Sequence, residues 1–289
     1  MKPAWLRCKL PDQAMLLKTR GLLRRRGLNS VCDEALCPNL CECFSRGTAT
    51  FLILGRTCTR ACTFCAILSE EHPPAPDPQE PERIAEVADD LGLKHVVITS
   101  VTRDDLADGG AGYFAAAVEA LKRHNPSITV EVLIPDLKGE RKALETVLRS
   151  RPDVVNHNLE TVDRLYPAVR PQADYRRSLS LLAQVKAIDP GTVTKSGLML
   201  GMGEEREEVL AAMADLRGAS CEMLTLGQYL QPSKRHHPVA RYVTPDEFTD
   251  IGCEGERMGF RAVFAAPLVR SSFHAAELFA GTLTERQPG

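Results

Sequence analysis

The sequence has no apolar run approaching the roughly 18 residues that cross a bilayer, which excludes a transmembrane helix and a membrane partner. Its first residues, MKPAWLRCKLPDQ, lack the apolar stretch of a secretory signal, so the expected location is cytoplasmic. Charge of neither sign is in excess: 36 basic residues against 38 acidic leave a net charge of -2. That balance argues against general binding of nucleic acid, which relies on a basic surface. Cysteine is nearly missing from most of the chain, with only Cys221 and Cys253 after residue 65. Disorder is excluded in turn, because 44% apolar residues in a chain of 289 suffice for one large domain or two small ones.

The other cysteines crowd together: Cys8, Cys32, Cys37, Cys41, Cys43, Cys58, Cys62 and Cys65. In a reducing compartment such a cluster binds metal or carries redox chemistry more often than it forms disulfides. Residues 1–48 are polar and broken by Gly and Pro, and read as an irregular extension with one helix at most. From about residue 49 short β-branched or apolar runs alternate with segments of helical period. The runs are 49–54, 95–101, 129–134, 153–158, 192–200, 221–230 and 262–266; the helical segments are 82–91, 112–124, 140–150, 175–188, 204–216 and 245–258. Ile84, Val87, Ala88 and Leu91 recur at the spacing of one helix face, and Pro81 suits a first helical turn. Repeated strand–helix alternation predicts parallel strands with right-handed crossovers, in either an open doubly wound sheet or a full or partial (β/α) barrel. Polar and glycine-rich clusters follow the strands, where either architecture places its chemistry.

Two cysteine groups carry the sharpest signal. In GRTCTRACTFC, Cys58, Cys62 and Cys65 form C-x3-C-x2-C directly after the first strand. Three thiolates on one polar loop can hold three irons of a [4Fe–4S] cluster and leave the fourth open to a non-protein ligand. Core packing of three inert thiols does not explain this spacing, with Thr57, Thr59, Arg60 and Thr63 between and beside them. In CDEALCPNLCECF, Cys32, Cys37 and Cys43 read as C-x4-C-x5-C, with Cys41 as an additional thiol. On spacing alone this second group fits a structural zinc or a second iron–sulfur cluster.

The C-x3-C-x2-C loop in an alternating β/α chain resembles the radical S-adenosylmethionine superfamily. The resemblance implies a full or partial barrel, and here a partial (β/α)6 TIM-type barrel over 49–260, flanked by the N-terminal iron–sulfur extension of 1–48 and a C-terminal segment, 261–289. It implies that the open iron binds S-adenosylmethionine and that one electron cleaves it to methionine and a 5′-deoxyadenosyl radical. A closer resemblance, to the lipoyl synthase family, runs through KPAWL, CPNLCECF, TSVTRDDLADGGA, NHNLETVDRLY, VRPQADYRRSL, KSGLMLGMGE, LGQYLQPS, YVTPDEF and PLVRSSFHA. It implies a sulfurtransferase that inserts two sulfurs at C6 and C8 of a protein-bound octanoyl-lysine. The cofactors it implies are two [4Fe–4S] clusters and S-adenosyl-L-methionine, with the auxiliary cluster on Cys32, Cys37 and Cys43 as sulfur donor. By the same resemblance the fourth ligand of that cluster comes from Arg270–Ser271–Ser272–Phe273; it is assigned to Ser272, with Ser271 as the fallback. The partners implied are an octanoylated lipoyl carrier domain or glycine-cleavage H protein, a ferredoxin or flavodoxin as electron donor, and an iron–sulfur cluster carrier, acting on a monomer. The chain departs from the family at Cys41, where glycine is usual, and at Phe273, where tyrosine is more usual.

Other residues have weaker signals. Asp108, Gly109 and Gly110 follow the second strand, where a Gly-rich segment either approaches the methionine part of the cofactor or simply leads into a helix. Asn156, His157, Asn158, Glu160, Arg170 and Lys195 line the cofactor and substrate cavity by resemblance. The segment Gly201–Met202–Gly203–Glu204 imitates the start of a dinucleotide loop but has Arg206 where a third glycine is required, and is discounted. Arg20, Arg24, Arg25 and Arg26 form a basic run that reads as a solvated face or as a means of steering an acidic protein. Cys8, Cys221 and Cys253 read as structural.

Overall fold

A computed structural model of the chain describes residues 3–6, 13–34, 37, 39 and 50–284. Cys8, Cys41, Cys43 and Ala49 lie outside the described residues, as does the side chain of Cys32. The chain divides into two compact units, the first formed by Cys8–Ala61 and Cys65–Val155, the second by Met1–Arg7, Cys62–Phe64 and Asn156–Gly289.

The first unit contains strands β1 (Asn29–Ser30), β2 (Thr50–Ile53), β3 (Thr57–Cys58), β4 (Leu68–Ser69), β5 (His95–Ser100) and β6 (Thr129–Leu133). Its helices are α1 (Gln13–Arg25), α2 (Val31–Glu34), α3 (Glu80–Asp90), α4 (Ala111–His124) and α5 (Arg141–Arg149). The main strand order is β1-β2-β5-β6, continuing to the start of β7 (Val154–Asn156). β2, β5 and β6 pair in parallel, as alternation with helices requires. The short β1 adds an antiparallel edge to β2, which periodicity did not indicate. Ile84, Val87 and Ala88 are fully buried on the inner face of α3, and Pro81 stands in its first turn as expected.

The second unit begins at the end of β7. It continues through α6 (Tyr166–Val169), α7 (Tyr175–Ile188), β8 (Val193–Leu200), α8 (Arg206–Gly218), β9 (Met223–Gln228), α9 (Pro245–Arg257), β10 (Ala262–Ala265) and α10 (Ala275–Thr284). β8, β9 and β10 are again parallel. Every residue of β9 is buried, as befits a parallel strand covered on both faces. The core gathers Leu198, Leu200, Met213, Leu216, Leu224, Leu226, Phe248 and Ile251. The YVTPDEF motif starts α9: Thr244 Oγ1 accepts the Glu247 N–H at 3.3 Å, while Glu247 accepts the Thr244 N–H at 2.8 Å. The strand and helix alternation expected from sequence is therefore borne out, with ends displaced by a residue or two.

One glycine admits the C-terminal segment. The Gln228 N–H donates to Pro267 O at 3.1 Å, which lays residues 267–269 against β9. A Cβ on Gly227 would lie 2.0 Å from Val269 O. Gly227→Ala should therefore push this segment off β9 and cost about 1–3 kcal/mol, the usual range for overpacking. Thermal unfolding would show the loss, and limited proteolysis would show cleavage near residues 267–273 appearing first.

Candidate functional site

The cysteine motif leaves β2 through a strained turn. Leu54 adopts φ 69 and Gly55 φ 98. A non-glycine residue in the left-handed region needs support from its surroundings. Glu80, at the start of α3, accepts the Leu54 N–H at 2.9 Å, and Arg103 donates to Leu54 O at 3.0 Å. Arg103 is held in turn by Asp105 through bonds of 2.8 and 2.7 Å.

Within the motif, Arg60 is the anchor. Its side chain is almost wholly buried and faces two carboxylates. It bonds Asp104 at 2.7 and 3.0 Å and Asp136 at 3.0 and 2.7 Å. Burial alone would lower the pKa of this guanidinium, but the bonds to Asp104 and Asp136 outweigh it and hold Arg60 above the ordinary arginine range. Thr59 reinforces the attachment: its N–H and hydroxyl reach Thr102 O at 2.9 and 3.0 Å, and its hydroxyl accepts the Asp104 N–H at 2.9 Å. In the sequence Arg60 is only one of the polar residues between the cysteines. The available signal was acidic residues directly after two strands, at Asp104 and Asp136.

Cys58, Cys62 and Cys65 are present as half-buried thiols. Cys58 Sγ accepts backbone N–H groups from Arg60 at 3.4 Å and Thr102 at 3.3 Å. Hydrogen bonds to cysteine sulfur are among the means by which a protein tunes an iron–sulfur cluster. Among the described residues no three His, Cys, Asp or Glu converge to bind a single metal ion. The donor set fits a cluster better, since there each thiolate takes its own iron. Of the second group, Cys37 is half-buried in the first unit.

In the second unit the polar residues gather at the end of β7. Alternation along the strand turns His157 outward, with Nε2 3.0 Å from Ser178 Oγ on α7. Asn158 turns the other way, and its amide donates to Glu160 Oε1 at 2.9 Å and Ser271 Oγ at 2.5 Å. Its Oδ1 is buried without a hydrogen-bond partner among the described residues. That oxygen would lie 3.0 Å from a Cβ at Gly197 on β8, so glycine leaves room for it. Lys195, wholly buried, lies two residues earlier on the same face of β8. Arg170 donates to Asn158 O at 2.9 Å and Leu159 O at 3.0 Å, fixing the turn after β7. Glu160 has φ 68, and desolvation pushes its carboxyl pKa up against the pull of Arg170, Asn158 and Arg270.

The remaining expectations resolve individually. Asp108 accepts the Gly110 and Gly112 N–H groups at 2.9 and 2.8 Å and so starts α4. Gly109 and Gly110 have φ 62 and 90, and a Cβ on Gly110 would meet Leu54 Cδ1 at 2.3 Å. Glu204 places its carboxylate on the Gly201 and Met202 N–H groups, which fills any phosphate cradle there. Burial pushes the Cys221 thiol up to about 12, as suits a structural cysteine, whereas Cys253 is exposed. In the basic run, Arg20 pairs with Asp33 and Arg26 with Glu86 and Asp90. A cleft of about 640 Å³ in the first unit lies between that region and the ends of the cysteine motif, with Arg20, Arg24, Asp33, Arg56 and Ala66 among its walls.

Residues 52–216 match the Radical SAM superfamily. The chain is 54% identical over 286 residues to the lipoyl synthase of Chlorobium chlorochromatii, covering 99% of this chain and 97% of that one. It is 55% identical over 275 residues to that of Methylococcus capsulatus, covering 95% and 85%. The chain belongs to the lipoyl synthase family. Among solved structures it is similar to HydG, a maturase of the [FeFe]-hydrogenase, with TM-score 0.58 at 15% identity over 90% of this chain and 57% of that one. It is also similar to methylornithine synthase, with TM-score 0.56 at 14% identity over 89% and 76%. The superfamily match, together with these two likenesses of fold, supports the partial barrel over a doubly wound sheet. Membership of the superfamily implies one [4Fe–4S] cluster and S-adenosylmethionine as cofactors. No helix among the described residues is long and apolar enough to cross a membrane.

Two predictions follow from the anchoring of the motif. Asp136→Ala leaves Arg60 with Asp104 alone; it should cost about 3 kcal/mol in urea unfolding, the lower end of the range for breaking a buried pair. Glu80 gives a pH effect. Burial raises its pKa above the ordinary 4.5, and the Leu54 N–H draws it only part of the way back. The folded chain therefore holds this proton more tightly than the unfolded chain, and stability falls as pH rises from 4.5 through the raised folded value. Glu80→Gln keeps an acceptor for Leu54 and should remove that part of the decline, read from urea midpoints between about pH 4 and 7.

Proposed function

We propose that this chain is a sulfurtransferase that makes the lipoyl group by inserting two sulfur atoms at C6 and C8 of an octanoyl chain amide-linked to a lysine of a carrier protein. The observation that carries this reading is the near full-length likeness to lipoyl synthases, and the radical chemistry it needs is supported by the C-x3-C-x2-C loop after the first parallel strand, fixed by Arg60 between Asp104 and Asp136. When bound, the cluster and S-adenosylmethionine supply hydrogen abstraction from unactivated carbon, once for each C–H bond replaced. Cys58, Cys62 and Cys65 hold that cluster. The Arg60 N–H and Thr102 N–H both donate to Cys58 Sγ and hold it in place.

The chain then has three functional segments. Residues 1–48 carry Cys32, Cys37 and Cys43, residues 49–260 the radical centre, and residues 261–289 the RSSF motif. The sulfur donor is an auxiliary [4Fe–4S] cluster, consumed as a substrate and held by Cys32, Cys37, Cys43 and Ser272. Ser271 is engaged by Asn158, whereas the Ser272 hydroxyl has no hydrogen-bond partner among the described residues, which favours Ser272 as ligand. A hard oxygen donor among soft thiolates weakens one corner of a cluster, which suits a cluster that must give up sulfur. Asn158, Glu160, Arg170 and Lys195 bind and orient the cofactor and the octanoyl chain, with the Asn158 Oδ1 acceptor open to a donor on either. Asp108, Gly109 and Gly110 form the segment near the methionine part of the cofactor.

The substrate protein is an octanoylated lipoyl carrier domain or glycine-cleavage H protein. A ferredoxin or flavodoxin delivers electrons, and a cluster carrier rebuilds the auxiliary site. The enzyme works as a monomer in the cytoplasm.

Anaerobic reconstitution should load about eight irons per chain. Cys58→Ala and Cys37→Ala should each lose about half, and each should abolish the two-sulfur mass gain on an octanoyl-lysine peptide. Ser272→Ala should lose auxiliary iron where Ser271→Ala retains it. A colourless zinc protein, or one with about four irons, would reject the two-cluster reading.

A further inference from the structure

The segment that follows β9 is held rigidly and carries two cations that the fold does not use. The Gln231 amide donates to His236 O at 2.9 Å. The His236 N–H donates to Ser233 O at 3.0 Å, and the Arg235 N–H to Ser233 Oγ at 3.3 Å. The Ser233 hydroxyl also bonds His236 Nδ1 at 2.8 Å. His237 closes the loop: its carbonyl accepts the Tyr229 hydroxyl at 2.8 Å, and its Nε2 donates to Met202 O at 2.9 Å. The His237 N–H reaches Thr63 O at 2.8 Å, which ties the loop to the residue after Cys62. Thr63 is itself anchored to Ala168 and Val169, through its hydroxyl at 2.8 Å and its N–H at 3.0 Å.

At the tip, Lys234 and Arg235 are both exposed. Neither makes an ion pair among the described residues, whereas Arg164, Arg241, Arg257 and Arg261 of the same unit each hold a carboxylate. Adjacent like charges repel, so a loop held in one shape around them costs stability that the chain itself does not recover. The rigidity does lower the entropic cost of binding something else. Two cations on a chain of net charge -2 are too few for a nucleic-acid surface, which needs an extended basic stripe. They match a small acidic patch on a folded protein.

We propose that Lys234 and Arg235 dock an acidic patch on the folded carrier domain, beside the cysteine-bearing loop. This rests on the reading that a carrier-bound octanoyl-lysine is the substrate. The test compares the octanoylated carrier domain with a short octanoyl-lysine peptide that has no acidic residue, using the reconstituted enzyme. The K234E/R235E variant should raise KM for the carrier roughly tenfold and flatten its salt dependence, with kcat within about twofold and peptide kinetics unchanged. The neutral K234Q/R235Q variant should fall between it and the wild type. An unchanged carrier KM would overturn the docking role, and so would an equal loss on carrier and peptide, which would put the loop in the chemistry. Tighter binding of labelled RNA than of the carrier would overturn the choice of partner. A wild type that converts neither carrier nor peptide would instead defeat the reading of the substrate.

Discussion

Arg60 projects from the middle of the cysteine motif into a pocket that it shares with Asp104 and Asp136, and all three side chains are largely withdrawn from water. Desolvating these groups is expensive, and only good geometry and several hydrogen bonds compensate for it. Here four bonds between 2.7 and 3.0 Å do so. The same attachment sets the course of the loop. With Arg60 fixed, Cys58 is held close enough to the Thr102 N–H to accept its hydrogen, and Thr59 bonds the backbone of the segment after β5. The cost of the buried charges thus returns as position. A polar loop of eleven residues, GRTCTRACTFC, could otherwise adopt many shapes, and a cluster ligand set works only if its members stay together.

The strain at Leu54 belongs to the same design. A leucine at φ 69 persists only because Glu80 and Arg103 take both of its backbone groups. Gly110, at φ 90, has no Cβ where one would strike Leu54 Cδ1. Glycine in the DGG segment is therefore demanded first by the packing of the turn that launches the cysteine loop.

Most of the scaffold was legible because its rules are local. Parallel strands buried on both faces read as apolar runs, and Ile84, Val87 and Ala88 show one helix face by spacing alone. The start of α9 could be read from Thr244, Pro245 and Glu247. The cysteine motif was legible for a different reason, since its chemistry fixes both residue type and spacing. What escaped depends on distance along the chain. Arg60 meets Asp104 and Asp136 across 44 and 76 residues, and Asn158 meets Ser271 across 113. No periodicity connects such pairs. The antiparallel β1 escaped as well, because two residues carry no pattern.

The polar face of the second unit departs from what packing alone favours. Interior strands gain most from apolar side chains, and a buried polar group costs free energy unless it is hydrogen-bonded. Yet Asn158, Lys195, Ser196 and Thr225 are all buried on β7, β8, β9 or their ends. Some of these groups are satisfied: the Ser196 hydroxyl accepts the Leu159 N–H at 3.3 Å, and Thr225 donates to Ser196 O at 3.3 Å. Asn158 is different. Both of its amide donor bonds are made, to Glu160 and Ser271, while its oxygen has no partner among the described residues, at a cost of about 1–3 kcal/mol. An apolar residue would avoid that cost but would lose its hold on the segment that carries Ser271 and Ser272. The side chain is therefore better explained by what it positions and what its oxygen can accept than by what it adds to stability.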